Sequence, residues 1–275
     1  MIGSTVGETR PAATATAPVG YTGPAVSMAG LVWTLVRTDF KARYHGTLSG
    51  FVWALLKPLA MFMVLEAVFS VIFAADAHYR SNLIVGLFLW DYFSEGTRTG
   101  MTSLHARGYL LTKSRCPLWV LVVTSLSNAL ITLMVFAVAI VTVQTILGQP
   151  PGLGGILLFL AYLAGLTLVV TGISLGTSVF FLRYRDLNQV WDVVIQAGFF
   201  IAPIIYPLRI LPEHYHWLLY LWAPTPFIQF SRAVLVDGVI PGPRAHMVLA
   251  LGTAIIFGSG LIVFRRLAPR AAEYL

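Results

Sequence analysis

Ionisable side chains inside long apolar stretches are the residues of this sequence most able to do chemistry. Glu66 lies in the middle of one stretch, Glu95 and Arg98 lie three residues apart in the next, and Asp192 and Gln196 share a helical face in a later one. A charge is costly in hydrocarbon, so such residues pair or line a polar pathway. Glu95 and Arg98 are predicted to pair with each other. For Glu66 and Asp192 the sequence leaves a pore wall and a structural pairing equally open.

Aromatic residues accompany these charges. Phe62 and Phe69 fall on the helical face of Glu66, and the face of Asp192 runs on to Phe199. Such rings commonly form belts at the membrane–water interface, and the rival interpretation is that some line a conduit and stack on sugar rings. The candidate channel residues are Phe62, Glu66, Phe69, Trp90, Tyr92, Phe93, Asp192, Gln196, Phe199, Phe200 and Tyr206.

No catalytic motif stands in this sequence in the context that its chemistry requires. A phosphate-binding loop needs Gly-Lys-Ser/Thr, and none of the three lysines, Lys41, Lys57 and Lys113, follows a glycine. There is no His-Glu-x-x-His, and the Gly-x-Ser-x-Gly run at 172–176 lies inside a long apolar stretch, where no nucleophile elbow is expected. His214 and His216 are close enough in sequence to share a metal, but two loop histidines are usually solvated, and we predict no metal site. The chain is therefore expected not to be an enzyme and to hold no cofactor of its own.

The composition is that of a polytopic membrane protein. Hydrophobic residues make up 57% of the chain and charged residues 11%, against about 25% charged in a soluble domain. The net charge of +7 sits between the apolar runs, as in cytoplasmic loops, which argues against nucleic-acid binding. The predicted fold is all-α with six transmembrane helices.

The predicted elements follow the apolar runs. A disordered cytoplasmic tail (1–26) and an interfacial amphipathic helix (27–46) precede a membrane domain (47–275) that contains a basic loop (102–117). The predicted spans cover about 48–73, 83–100, 118–147, 154–181, 189–206 and 245–264.

Residues 215–236 are apolar enough to span but carry two prolines. If they do not cross, nearly all basic residues share the side of the N-terminus, which favours two cytoplasmic termini. The exceptions are Arg80, Arg209, Arg232 and Arg244. Residues 208–240 then form a re-entrant or interfacial element on the outer face, with short helices, and such backbone needs cover from protein or water.

Several motifs, taken in order, resemble the ABC-type polysaccharide export permeases, which form a family of type-II ABC exporters. The N-terminal part carries LVRTDFKARY (35–44), GFVW (50–53) and Pro58. The middle carries GLFLW (86–90) and LLTKSRCP (110–117). The strongest match is FLRYRDL (181–187), followed by FFIAPIIY (199–206) and LP (211–212). The resemblance covers about residues 30–273, with Asp91 and Glu95 as a more acidic departure.

This resemblance implies six spans, a homodimer, and a separate ATP-binding subunit that holds ATP and Mg on the cytoplasmic face. It implies a cytoplasmic-membrane location and a substrate polysaccharide carried on undecaprenyl diphosphate, such as an O-antigen, teichoic acid, capsule or galactan. The implied coupling residues are Leu104, His105, Arg107, Tyr109, Lys113 and Arg115.

The sequence leaves open the role of the basic residues in the interfacial helix and two alternative functions. Arg37, Lys41 and Arg43 either draw in the diphosphate head group or anchor the interfacial helix to anionic lipid. The alternative functions are export of a drug or small lipid by the same fold, and a membrane-embedded enzyme or structural protein with no ATPase partner.

Overall fold

The computed structural model describes residues 27–44, 50–74, 76–108, 116–146 and 150–269, and all regular structure within these ranges is helical. The α-helices are α1 Met28–Tyr44, α2 Phe51–Ile72, α3 Tyr79–Ala106, α4 Leu118–Ser125, α5 Ser127–Ile146, α6 Leu153–Arg183, α7 Leu187–Ile201, α8 His216–Tyr220, α9 Thr225–Leu235 and α10 Pro243–Leu267. The predicted tail (1–26) lies outside the described residues, and α1 occupies the segment predicted as the interfacial helix.

Four helical stretches among the described residues are long and apolar enough to cross a membrane: Phe51–Ile72, Leu118–Ile146, Leu153–Arg183 and Pro243–Leu267. They confirm the first, third, fourth and sixth predicted spans as membrane-length helices. The third is two helices, α4 and α5, that join at Leu126.

The second and fifth predicted spans are helices of a different character. Helix α3 has 28 residues, about 42 Å at the usual rise, but it carries several charges. Helix α7 has only 15 residues and ends before Pro203, where a proline cannot supply the next backbone hydrogen bond. Neither helix is therefore among the four stretches that are long and apolar enough to cross a membrane.

Helix α3 forms the centre of the bundle. Leu83, Phe93 and Met101 on this helix are fully buried, and it packs mainly against α6, with α5, α4, α9 and α2 around it. Helix α6 packs in turn against α10 through glycines, since a Cβ atom on Gly260 would overlap the carbonyl group of Gly172. Close backbone approach of this kind is how helices gain dispersion energy in a membrane.

The segment between α7 and α10 is broken into short pieces. Two 3-10 turns, Leu208–Ile210 and Glu213–Tyr215, precede α8 and α9. The longer of the two helices has 11 residues, about 16 Å, which is too short to cross a bilayer. The prolines of this apolar segment therefore divide it into elements that cannot span singly.

Candidate functional site

A groove of about 580 Å³ runs between α2, α3 and α7. Trp90 of α3 and Phe199 and Phe200 of α7 supply its aromatic wall, because residues 196, 199 and 200 fall on one face of α7. Lys57 and Asp91 add charge to the same groove. The groove thus combines the exposed ring of Phe200, the half-buried ring of Phe199 and the largely buried ring of Trp90 with a few polar groups, which is the usual character of a ligand site.

Trp222 packs against the side of the aromatic wall that faces away from the groove. Its ring lies 6.4 Å from that of Trp90 and 6.0 Å from that of Phe93, and Phe199 lies 5.8 Å from Trp90. Gly198 makes this possible, because a Cβ atom there would overlap the Trp222 ring. Edge and tilted contacts of this kind stabilise aromatic clusters and fix their orientation.

The predicted channel residues divide between this groove and other places. Trp90, Gln196, Phe199 and Phe200 line it together. Phe62 and Phe69 are half-buried on α2 and pack against the core. Glu66 forms an ion pair of 2.6 Å with Arg80, and Tyr206 donates a hydrogen bond to the carbonyl oxygen of Phe200.

Tyr92 and Phe93 do not face the groove. Their side chains are 2% and 0% exposed, inside the bundle. The hydroxyl of Tyr92 donates to Thr167 on α6, 3.0 Å away. The sequence grouped these residues with Trp90 because they follow it directly, but consecutive helical residues point in different directions.

The charges of α3 pair with other helices. Glu95 accepts a hydrogen bond from Arg43 of α1, and Arg98 lies 2.7 Å from Asp192 of α7. The expected pairing between Glu95 and Arg98 is therefore wrong. Helices α1 and α7 each bring a partner of opposite charge to α3, and these cross-helix contacts replace the local one. Asp192 is accordingly held in an ion pair, which is the structural alternative for this residue.

Arg107 lies at the C-terminal end of α3 and joins three elements. It forms an ion pair with Asp39 of α1 and donates to the carbonyl oxygen of Leu121 and the hydroxyl of Thr124, at 2.8 and 2.7 Å. Burial raises the pKa of the Asp39 carboxyl above its ordinary value, although the Arg107 charge acts in the opposite direction. Arg107 thus anchors α1 and α4 to the end of α3.

The other residues assigned to coupling or to the head group are placed as follows. Leu104 is fully buried in a small apolar cluster, and His105 is exposed and lies edge-on to Phe181. Tyr109, Lys113 and Arg115 lie outside the described residues. Arg37 and Lys41 are exposed on α1, whereas Arg43 is engaged by Glu95.

Sequence reasoning missed three charged groups of interest. Lys57 and Asp91 face the groove, and their signal was a lysine and an acid inside apolar helices. Arg232 of α9 is 6% exposed and donates to the carbonyl oxygens of Asn82 and Pro203, at 2.7 and 2.6 Å. An arginine within an apolar segment indicates such a buried role, but its acceptors are backbone atoms and leave no sequence pattern.

Comparison with known proteins gives a consistent match. A family model described as ABC-2 type transporter matches residues 30–236. An O-antigen export system permease protein RfbA from Myxococcus xanthus is 29% identical over 254 residues, which cover 89% of this chain and 95% of the relative. RfbA from Klebsiella pneumoniae is 25% identical with the same coverage. The polysialic acid transport protein KpsM of Escherichia coli is 23% identical over 85% of this chain and 92% of its own.

Proposed function

Because the chain belongs to the ABC-2 type transporter family, we propose that it is the membrane permease of an exporter that moves a lipid-linked polysaccharide across the cytoplasmic membrane. The names of its relatives, O-antigen export permease and polysialic acid transport protein, support a glycan substrate. The lipid we propose is undecaprenyl diphosphate, and the polymer class includes galactans.

The proposed topology has six crossings, made by α2, α3, the α4–α5 pair, α6, α7 and α10. Both termini are then cytoplasmic, and the segment 208–240 lies at the outer face. The basic residues support this orientation, since it puts Lys41 and Arg43 at the end of α1 on the same cytoplasmic side as Arg265 and Arg266 at the end of α10. Helices α3 and α7 cross because other helices and cross-helix ion pairs compensate their charges.

The energy comes from a separate subunit. The sequence has no Gly-Lys-Ser/Thr motif to hold nucleotide phosphates, so ATP and Mg bind to an ATP-binding partner on the cytoplasmic face. We place a second copy of the chain against α2, whose outward side carries exposed apolar residues such as Trp53, Met63 and Val71. That copy would close the open side of the groove and make it a channel.

The groove between α2, α3 and α7 is the observation that carries the proposal. Phe199 and Phe200, backed by the buried ring of Trp90, offer ring faces that contact the C–H faces of sugars, with no dependence on one particular sugar. A polymer is too long to be enclosed, so its path needs weak contacts that let it leave again. Lys57 and Asp91 supply the few polar contacts of that path.

Helix α3 is the element that would transmit the motion. Its end carries Arg107, within the segment 102–117 that we propose docks on the ATPase, and ion pairs from Glu95 and Arg98 reach α1 and α7. A push on this end therefore moves α1, α3 and α7 together, and α3 and α7 line the groove. Arg37 and Lys41 remain exposed for the diphosphate or for anionic lipid.

The test is depletion of the chain in its own cells, with fractionation of the glycan. We expect lipid-linked polymer to accumulate on the cytoplasmic side, and Phe200→Ala, at a ring that is 67% exposed, to reproduce this with normal amounts of protein. A matched control is Trp217→Ala, which removes an exposed ring outside the groove. Normal export after depletion would instead point to a drug or small-lipid exporter, or to a membrane protein without an ATPase.

A further inference from the structure

A second cavity lies beyond the C-terminal end of α7. It has a volume of about 580 Å³ and lies between the start of α3, the turn after Pro203 and helix α9. It shares no lining residue with the groove, but Tyr206 in its wall donates a hydrogen bond to the carbonyl oxygen of Phe200 in the groove. We call it the outer cavity, and its place further along α7 puts it at the outer end of the proposed pathway.

Two buried amide atoms in the wall of the outer cavity lack a hydrogen-bond partner within the described part of the chain. They are the side-chain oxygen of Asn82 and the side-chain nitrogen of Gln229. A buried polar atom without a partner destabilises a fold, and such groups are uncommon in native proteins. One acceptor and one donor, both on residues that line one cavity, are what a ligand rich in hydroxyl groups would satisfy.

Arg232 fixes the wall that carries these amides. Its guanidinium donates to the carbonyl oxygens of Asn82, Pro203 and Ile204 at 2.7, 2.6 and 2.9 Å. A side chain on Gly86 would overlap this guanidinium, so α3 and α9 approach closely only because residue 86 is glycine. Arg232 therefore joins α9 to the start of α3 and to the turn after α7, and the amides are held in a preorganised wall.

The charges of the outer cavity are balanced. Asp76 lies 3.2 Å from Arg209, and Asp237 lies 3.7 Å from His78. A site for a phosphate would present an excess of cations, whereas here acids, amides and bases alternate. Paired carboxylates retain free lone pairs that accept from hydroxyl groups. The chemistry suits a neutral, hydroxyl-rich ligand.

Aromatic rings complete the outer cavity. Tyr206, Tyr220 and Phe230 line it beside the amides, and Tyr220 is 36% exposed. Ring faces next to amide and carboxylate groups match the two sides of a sugar, whose C–H face is apolar and whose edge is polar. The volume also falls within the range of about 300–1,000 Å³ that ligand pockets occupy.

We propose that the outer cavity is a saccharide-binding site that holds neutral sugar residues of the polymer as it leaves the groove. Asn82 and Gln229 hydrogen-bond to sugar hydroxyls, and Tyr220 packs on a ring face. This inference rests on the proposed function, and it adds a second contact point that prevents the polymer from sliding back between steps.

The test uses the purified permease in complex with its ATPase partner. The probe is the surface polysaccharide of the same cells, released from its lipid by mild acid, and binding is measured by calorimetry. We expect Gln229→Leu and Asn82→Leu each to weaken binding about tenfold, the effect of losing one or two hydrogen bonds. Both variants should melt at or above the wild-type temperature, because leucine removes a buried polar atom that lacks a partner.

Two further variants make the test independent of folding. Tyr220→Leu removes an aromatic ring that lines the cavity but keeps an apolar side chain, so it should weaken binding with little change in thermal stability. Asn128→Leu is the matched control, since Asn128 also has a buried side-chain oxygen without a partner in the described chain but does not line the outer cavity. It should bind the probe as the wild type does.

Several outcomes would overturn the inference. Wild-type affinity in Asn82→Leu, Gln229→Leu and Tyr220→Leu would rule out the saccharide site, and continued export by the wild type would leave the proposed function intact. If inorganic diphosphate displaced the polysaccharide probe, the ligand of the outer cavity would be an anion and not a neutral sugar. Failure of the wild type both to bind the probe and to support export would refute the proposed function as well.

Discussion

The ion pair between Arg98 and Asp192 is the link from α3 to the groove helix α7, and we predict that breaking it uncouples the two helices. Two guanidinium nitrogens lie 2.9 and 2.7 Å from one Asp192 oxygen, and the side chains are 39% and 45% exposed. Exposed pairs contribute about 0.2–1 kcal/mol, and removing one partner of a buried pair costs about 3–5 kcal/mol. A half-exposed pair lies between, at about 1–2 kcal/mol.

This magnitude fixes the expected effects. A change of 1–2 kcal/mol alters a conformational equilibrium by about 5- to 30-fold. We therefore expect Asp192→Asn to lower polymer export by about that factor and to lower the melting temperature by about 2–8 °C. ATP hydrolysis by the assembled complex should continue, because neither Arg98 nor Asp192 belongs to the segment 102–117 that we propose contacts the ATPase.

The assay compares export in vesicles for Asp192→Asn, Arg98→Gln and the charge swap Arg98→Asp with Asp192→Arg. The swap should recover most of the lost rate, because it rebuilds the pair with reversed charge. Arg80→Gln is the matched control, since it breaks a pair with Glu66 in which the arginine is 75% exposed. Equal export by the wild type and Asp192→Asn would show that this ion pair does not couple α3 to α7. So would a charge swap that exports less polymer than either single variant.

The remaining predictions concern close packing and are read from thermal unfolding of the purified protein. Gly260→Ala should destabilise by about 3 kcal/mol or more, because the added methyl group meets backbone of α6 that cannot move aside, and an unchanged melting temperature would contradict this packing. Gly198→Ala should displace Trp222, lower stability by about 1–3 kcal/mol and change tryptophan fluorescence; an unaltered spectrum would count against the aromatic cluster. Arg232→Lys should cost about 3 kcal/mol, since an ammonium group cannot reach three carbonyl oxygens as a guanidinium does, whereas Arg209→Lys, at an exposed arginine, should melt as the wild type does.

The strongly apolar helices were predictable because hydropathy is averaged over about 20 residues. Helix α3 is less apolar, and its length could not be predicted in this way. Its charges are compensated by partners 52 and 94 residues away, in the pairs of Glu95 with Arg43 and of Arg98 with Asp192. The sequence suggested a pairing between Glu95 and Arg98 because helical spacing indicates only which residues of the same helix lie close together.

The groove was predictable in part. Phe199 and Phe200 follow the polar face of α7, so their position could be read from helical periodicity. Trp90 and Tyr92 lie on a helix surrounded by others, and periodicity does not tell which side of such a helix meets the groove. The wall of the outer cavity depends on hydrogen bonds from Arg232 to backbone carbonyls, which any residue provides, so no residue pattern marks it.

Reconstitution into vesicles tests most directly whether the chain is the permease of an ATP-driven polysaccharide exporter. The purified chain is placed in vesicles with and without its ATP-binding partner, and transfer of lipid-linked polymer to the opposite side is measured after ATP is added. We expect the chain alone neither to hydrolyse ATP nor to transfer the polymer. Once the partner is bound, we expect ATP-dependent transfer of the polymer. Hydrolysis of ATP by the chain alone, or an assembled complex that turns over ATP and leaves the polymer in place, would contradict this expectation.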